Sequence, residues 1–240
     1  MVATNVTSVP ATEGAMKKKS YHHGDLRNAI IQEAMARARV SGEKAIILRE
    51  IAPLIGVSAT AAYRRFANRQ QLVEEVSARG YVAMRERLET SLLASTGADQ
   101  ADPPLAAYVD LRNAAMAMVE FAANEPCWAR MMLENLGSAP TVEEQADVVR
   151  ERLQEIVDYG IQAGAFRPGI ALRGERTFWA AVDGLSAHVM FGVPSLDAAD
   201  ADRAVARTID LCLTDLLTEE GLRLRETAKL PHGIISQLPL

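Results

Sequence analysis

Between Ile47 and Val76 the apolar positions fall into two short helical stripes broken by one turn. Leu54-Ile55-Gly56-Val57-Ser58 forms the break: Gly56 can take the positive φ of a tight helix exit, and Ser58 can cap the next helix. Ile51, Leu54, Ile55, Val57, Ala62 and Phe66 then share a small core between crossing helices. Facing outward on the second helix are Ala59, Thr60, Ala61, Tyr63, Arg64 and Arg65. Small side chains let a helix enter a major groove, while Tyr and Arg reach phosphates or base edges. The pattern implies a DNA-binding helix-turn-helix; the plainer alternative is an αα-hairpin with a solvated basic end. Asn68 with Gln71 announces another helix, and Arg69 lies in its first turn, where a cation opposes the macrodipole. A phosphate partner would explain Arg69, and so would a chance surface position.

Helical periodicity continues on both sides. A first helix is expected after the N-cap Asp25, with Leu26, Ile30, Ala34 and Ala38 inward and an end at Ser41-Gly42. A long helix should run from Arg69 to about Leu93. Asp102-Pro103-Pro104, Glu125-Pro126, Gly137-Ser138-Ala139-Pro140 and Phe166-Arg167-Pro168-Gly169 punctuate the remainder into amphipathic helices. Two apolar stripes mark the segment holding Phe178, Val182, Leu185 and Val189 beside Trp179, Ser186 and Met190. The last segment is similar, with Val205, Ile209, Cys212 and Leu216 beside Ala204, Leu211, Leu213 and Leu217. Helices apolar on more than one face are either covered within one chain or form a four-helix contact between two copies; paired half-sites on DNA favour the second, a homodimer. The expected division is an extension at 1–16, a helix-turn-helix unit with a basic arm at 17–68, a larger helical unit at 69–220 and a tail at 221–240.

Composition supports an all-α fold: 49% of residues are hydrophobic and only 5% aromatic, so strand-favouring runs are scarce. A net charge of −5 argues against nucleic acid until its distribution is read. Residues 17–92 carry 14 Lys and Arg against 8 Asp and Glu, and the rest of the chain is strongly acidic. One end is thus suited to a polyanion. Cys127 and Cys212 lie far apart in apolar surroundings, as reduced thiols of a cytoplasmic protein would. No apolar run reaches the roughly 18 residues of a membrane span. The first residues lack a basic-then-apolar leader. The pair His22-His23 has no third ligand at metal spacing, so neither a metal nor another cofactor is expected.

Several motifs carry a resemblance. YHHGDLR stands at Tyr21 to Arg27, LREIA at Leu48 to Ala52, GVS at Gly56 to Ser58, YRRF at Tyr63 to Phe66 and NRQQL at Asn68 to Leu72. FAANEP at Phe121 to Pro126 and WAAVDG at Trp179 to Gly184 are weaker signatures. Together they resemble the tetracycline-repressor (TetR) family of transcriptional regulators, in particular a subgroup with a Trp-x-x-x-His-Gly signature. The resemblance implies a three-helix DNA-binding domain on a larger ligand-binding and dimerisation domain. It also implies that Ala59, Thr60, Ala61 and Arg64 meet base edges. Ser58, Tyr63, Arg65 and Arg69 would hold phosphates, with Arg49 a further candidate and Lys17, Lys18 and Lys19 a basic arm. Departures from the pattern are Ile47 in place of a capping Ser or Thr, Pro53 inside the second helix, and Asp183 where the signature has His.

By the same resemblance, a small molecule entering the C-terminal core would release a double-stranded operator. Tyr108, Met118, Phe121, Trp128, Met131, Met132 and Phe178 are the candidate lining, since methionines adapt and aromatics stack. The same stripes read equally well as plain core. An enzyme would need a nucleophile with a base, a metal set or a phosphate loop, and His188 with Asp183 has a spacing of five, off a shared helix face. A helical dimer that has lost operator binding is the other alternative, supported by Ile47 and Pro53.

Overall fold

A computed structural model describes residues 23–95, 102–168, 174–191 and 198–227. The extension, Lys17 to Lys19, and the final residues lie outside that set. Among the described residues ten α-helices follow in order: α1 (His23–Ser41), α2 (Leu48–Leu54), α3 (Ala59–Tyr63), α4 (Arg69–Ser95), α5 (Pro103–Asn124), α6 (Pro126–Glu134), α7 (Pro140–Gln162), α8 (Gly174–Met190), α9 (Ala198–Thr214) and α10 (Glu219–Thr227). A 3-10 turn, Gly42–Ala45, joins α1 to α2. Among the described residues the only extended pairing is a single bridge between Phe166 and Leu217. The fold is all-α.

The expected punctuation sets most boundaries. The Asp102 carboxylate accepts from the Leu105 N–H at 3.2 Å and opens α5 beside its N-terminal prolines. Asn68 accepts from the Gln71 N–H at 2.8 Å, and the Gln71 side chain accepts from the Ala67 N–H at 2.9 Å, so α4 starts on a reciprocal cap. Two expectations need correction. First, α1 begins two residues before Asp25, which therefore lies inside its first turn. Second, the division expected between 220 and 221 falls inside a helix: α10 spans Glu219–Thr227, and Thr218 caps it by accepting from the Gly221 N–H. Its short run of apolar residues, Leu222 among them, was too brief to show a period, yet it packs on the main core.

Helices α1 to α3 close around Ile30, Ile31, Ala34, Ile46, Leu48, Ile51, Ala62 and Phe66, all essentially inaccessible. Arg27 stacks over the Phe66 ring and pairs with Glu75, locking this unit onto α4. Burial alone would raise the Glu75 carboxyl, but Arg27 and Arg79 outweigh it and hold it below its ordinary value. Behind the unit, α5 runs through the middle of the larger bundle, packed by α4, α7, α8 and α9. Arg112, almost fully buried on α5, donates to Asp210 of α9 at 2.7 Å, and the Tyr108 hydroxyl reaches the same carboxylate at 3.3 Å. Burial, with Asp210 alongside, pushes the Tyr108 phenol well above its usual value. Such a paired buried charge adds little net stability but fixes which faces meet.

Candidate nucleic-acid interface and internal cavity

The turn between α2 and α3 forms as its residues dictate. Gly56 takes φ +76°, its N–H bonds the Pro53 carbonyl, and the Val57 N–H bonds the Ala52 carbonyl. These bonds close a Schellman exit. Pro53 is the penultimate residue of α2, so its missing N–H removes one bond near the helix end while its own carbonyl serves the exit. Ser58 then accepts from the Ala61 N–H at 3.2 Å and caps α3. At Ile47 there is no side-chain cap, and α2 starts without one.

The outward surface of α3 and its exit consists of Ala59, Thr60, Tyr63 (48% exposed) and Arg64. Ala61 and Arg65 are half-buried and lie to the side. Arg64, and Arg49 on α2, are exposed, and their guanidinium groups have no ion pair or hydrogen bond among the described residues. Two uncommitted guanidinium groups flanking a small-residue helix are chemically suited to phosphate oxygens and guanine edges.

Arg69 stands apart from that surface. Its Nε donates to the Ile46 carbonyl at 2.9 Å, one terminal nitrogen to the Glu43 carboxylate at 2.8 Å and the other to the Glu43 carbonyl at 2.6 Å. The guanidinium thus caps the 3-10 turn from the start of α4, an engagement within the chain that the phosphate expectation did not include. The Glu43 carboxylate also accepts from Asn135, whose own amide oxygen accepts from Gln70. The α1–α2 junction, the start of α4 and the end of α6 thus share one polar cluster.

A cavity of about 540 Å³ lies between α4, α5, α6, α7 and α8. Of the expected lining, Met118 and Met132 reach it. Tyr108, Phe121, Trp128, Met131 and Phe178 do not border it; they are buried in the surrounding core. Trp128, wholly inaccessible, donates from Nε1 to the Val76 carbonyl at 3.0 Å and carries Arg39 of α1 over its ring at 4.6 Å. It fastens α6 to α4 and α1. The wall contains residues that periodicity did not single out: Tyr81 and Met84 on α4, Arg150 and Gln154 on α7, and Asp183 on α8. Trp179, Asp183, Ser186 and Met190 share one face of α8, so the second apolar stripe of that helix borders the cavity rather than a partner chain. A carboxylate set inside that stripe was the available signal.

Burial raises the Asp183 carboxyl above the usual range. It also lifts the Tyr81 phenol to about 12, with Arg150, Glu143 and Asp183 all close enough to act on it. Helix α6 forms a floor through Ala129, Met132 and Leu133 while its two ends touch the α1–α2 unit. At its start the Cys127 thiol approaches the Val40 carbonyl and Glu125 pairs with Arg39; at its end stands Asn135. Opposite Met132, Gly80 lets α4 approach so closely that a Cβ there would sit 2.3 Å from the thioether sulfur.

No family profile and no curated protein matches the sequence. Solved structures do. One, a protein of unknown function from Rhodococcus sp. RHA1, is 25% identical, with 84% of this chain and 100% of that one covered and a TM-score of 0.71. A second, a bacterial regulatory protein in the TetR family from Rhodococcus RHA1, is 24% identical over 80% of this chain and 98% of that one, with a TM-score of 0.56. The chain has the TetR-family fold. A regulator described as putative in its name, from Saccharomonospora viridis and in complex with choline, shares that fold at 16% identity, 82% and 100% coverage, and a TM-score of 0.59. In TetR terms, α2 and α3 are the helix-turn-helix and α4 joins it to the bundle that encloses the cavity. No helix among the described residues is long and apolar enough to cross a membrane.

Proposed function

We propose that this chain is a DNA-binding transcriptional regulator, a homodimeric repressor that leaves a near-palindromic operator when a small molecule fills the cavity. One observation carries the reading: an α3 surface with an uncommitted Arg64 belongs to the unit that α6 touches through α1 and the 3-10 turn, and α6 also lines a mostly apolar cavity. Several neighbours with the same fold are named as regulators, and two are named with a small molecule bound, choline in one and resorcinol in the other. We therefore read the chain as a binding protein and not an enzyme.

The face for a second copy is the one left on α8 and α9. Ala180, Gly184 and His188 are exposed along α8, with Leu211 at 62% exposure on α9. Nothing lies within 4 Å of a Cβ built at Gly184, so another helix can approach there. Two copies paired in this way would set two α3 helices one groove turn apart.

Coupling follows from the contacts of α6. A ligand releases DNA only if it binds better to the form with wrongly spaced α3 helices. Pressure on Ala129, Met132 and Leu133 moves a helix whose Trp128 holds α4 and whose Asn135 joins the Glu43–Arg69 cluster. Displacing α6 therefore displaces the base of the DNA-binding unit. Selection of duplexes from a random library with the purified chain tests the reading; recovery of a two-fold symmetric sequence supports it, and recovery of none rejects it.

A further inference from the structure

Asp183 on α8 is exposed where it borders the cavity and has no hydrogen bond or ion pair among the described residues. Arg150, the only cation among the described residues that border the space, bonds Glu143 at 3.2 Å and also Asp147, both on its own helix. A further carboxylate, Glu151, stands on the same wall. The charge left without a partner at this cavity is negative. Around it the surface is soft and apolar: Trp179 lies one turn from Asp183 on the same face, and the thioethers of Met84, Met118, Met132 and Met190 complete the enclosure.

We propose that the cavity takes an apolar cation, an aryl- or alkylammonium ion, with Asp183 as counter-ion and Trp179 as the ring against which the cationic head packs. This rests on the cavity being the effector site and names the chemistry it selects. A neutral ligand of the same shape would fill the space but cover the carboxylate without pairing it, and an anion would face that carboxylate directly. A cation on an apolar body answers both demands, since its charge meets Asp183 and the ring quadrupole while its carbon surface meets methionine and alanine. Burial raises the Asp183 carboxyl with no local partner to offset it, as expected of a site waiting for a positive charge.

Calorimetric titration of the full-length protein with benzyltrimethylammonium, its uncharged isostere neopentylbenzene, and 4-phenylbutanoate tests this. The ammonium ion should bind at least about tenfold more tightly than the isostere, a margin typical of a partly desolvated charge and ring contact. Asp183→Asn should erase that margin without weakening the isostere, and Asp183→Glu should restore part of it; melting curves check that both variants fold. Equal or tighter binding of the isostere or the anion, an undiminished margin in Asp183→Asn, or no ammonium binding at millimolar concentration would each overturn the proposal. DNA release is scored separately. An ammonium ion that binds in an Asp183-dependent way without freeing DNA upholds the site chemistry and rejects the switch.

Discussion

Replacing Arg69 by alanine separates two roles that one guanidinium at a helix start can play. In this fold it makes three hydrogen bonds, to the Ile46 carbonyl at 2.9 Å, the Glu43 carbonyl at 2.6 Å and the Glu43 carboxylate at 2.8 Å. A charged hydrogen bond contributes roughly 1.5–3 kcal/mol in isolation. The side chain is 42% exposed, however, and bonds sharing one guanidinium do not add, so screening reduces the total to about 2 kcal/mol. For a chain of this size that lowers Tm by roughly 4–8 °C. Because the guanidinium is engaged within the chain, the salt dependence of DNA affinity should keep its slope. A phosphate contact behaves in the opposite way: its removal takes about 0.9 from the slope for each site and leaves Tm nearly unchanged. Melting curves and fluorescence anisotropy at several salt concentrations, on the same preparations, read both quantities. A flattened slope with an unaltered Tm would refute the internal-tie assignment.

Trp128→Ala empties a site with no exposure and removes the second hydrogen bond to the Val76 carbonyl, so stability should fall by about 3–5 kcal/mol, while Trp128→Phe should lose much less; a melt within 2 °C of wild type for the alanine variant would contradict this role. Gly80→Ala places a Cβ against the Met132 sulfur, which can give way only towards the cavity. That variant should stay folded and bind benzyltrimethylammonium about tenfold more weakly by calorimetry, the scale of a methylene-sized misfit; unchanged affinity would mean that α4 and α6 adjust elsewhere.

What the sequence revealed and what it hid differ in range. The helix-turn-helix is specified within about thirty residues by Gly56, the Ser58 cap and the Asn68–Gln71 box, signals that act on neighbours along the chain. Asp102, Pro126, Pro140 and Gly164 likewise mark helix ends locally. The cavity is a long-range property. Tyr108 and Trp128 carry the same aromatic signal as Trp179, yet the first is tied to Asp210, the second to Val76, and only the third reaches the space. Apolar periodicity shows that a face is buried, not whether it meets a side chain or a void. The internal tie of Arg69 went unseen for a related reason: its partner, Glu43, lies 26 residues earlier and no local pattern links them. Asp183 was visible as a departure from a motif, but its meaning came from the apolar wall around it.

The central claim is that α3 reads DNA, and the most direct test uses its exposed face alone. Thr60 and Arg64 are exposed and contribute nothing to the core, so Thr60→Ala/Arg64→Ala should melt within about 2 °C of wild type. In a random-duplex selection followed by anisotropy, wild type should enrich a near-palindromic sequence and bind it with affinity that falls steeply with salt. The double variant should bind that duplex little better than unrelated DNA. Failure of the wild type to enrich any sequence, or equal preference in the folded variant, would contradict the account.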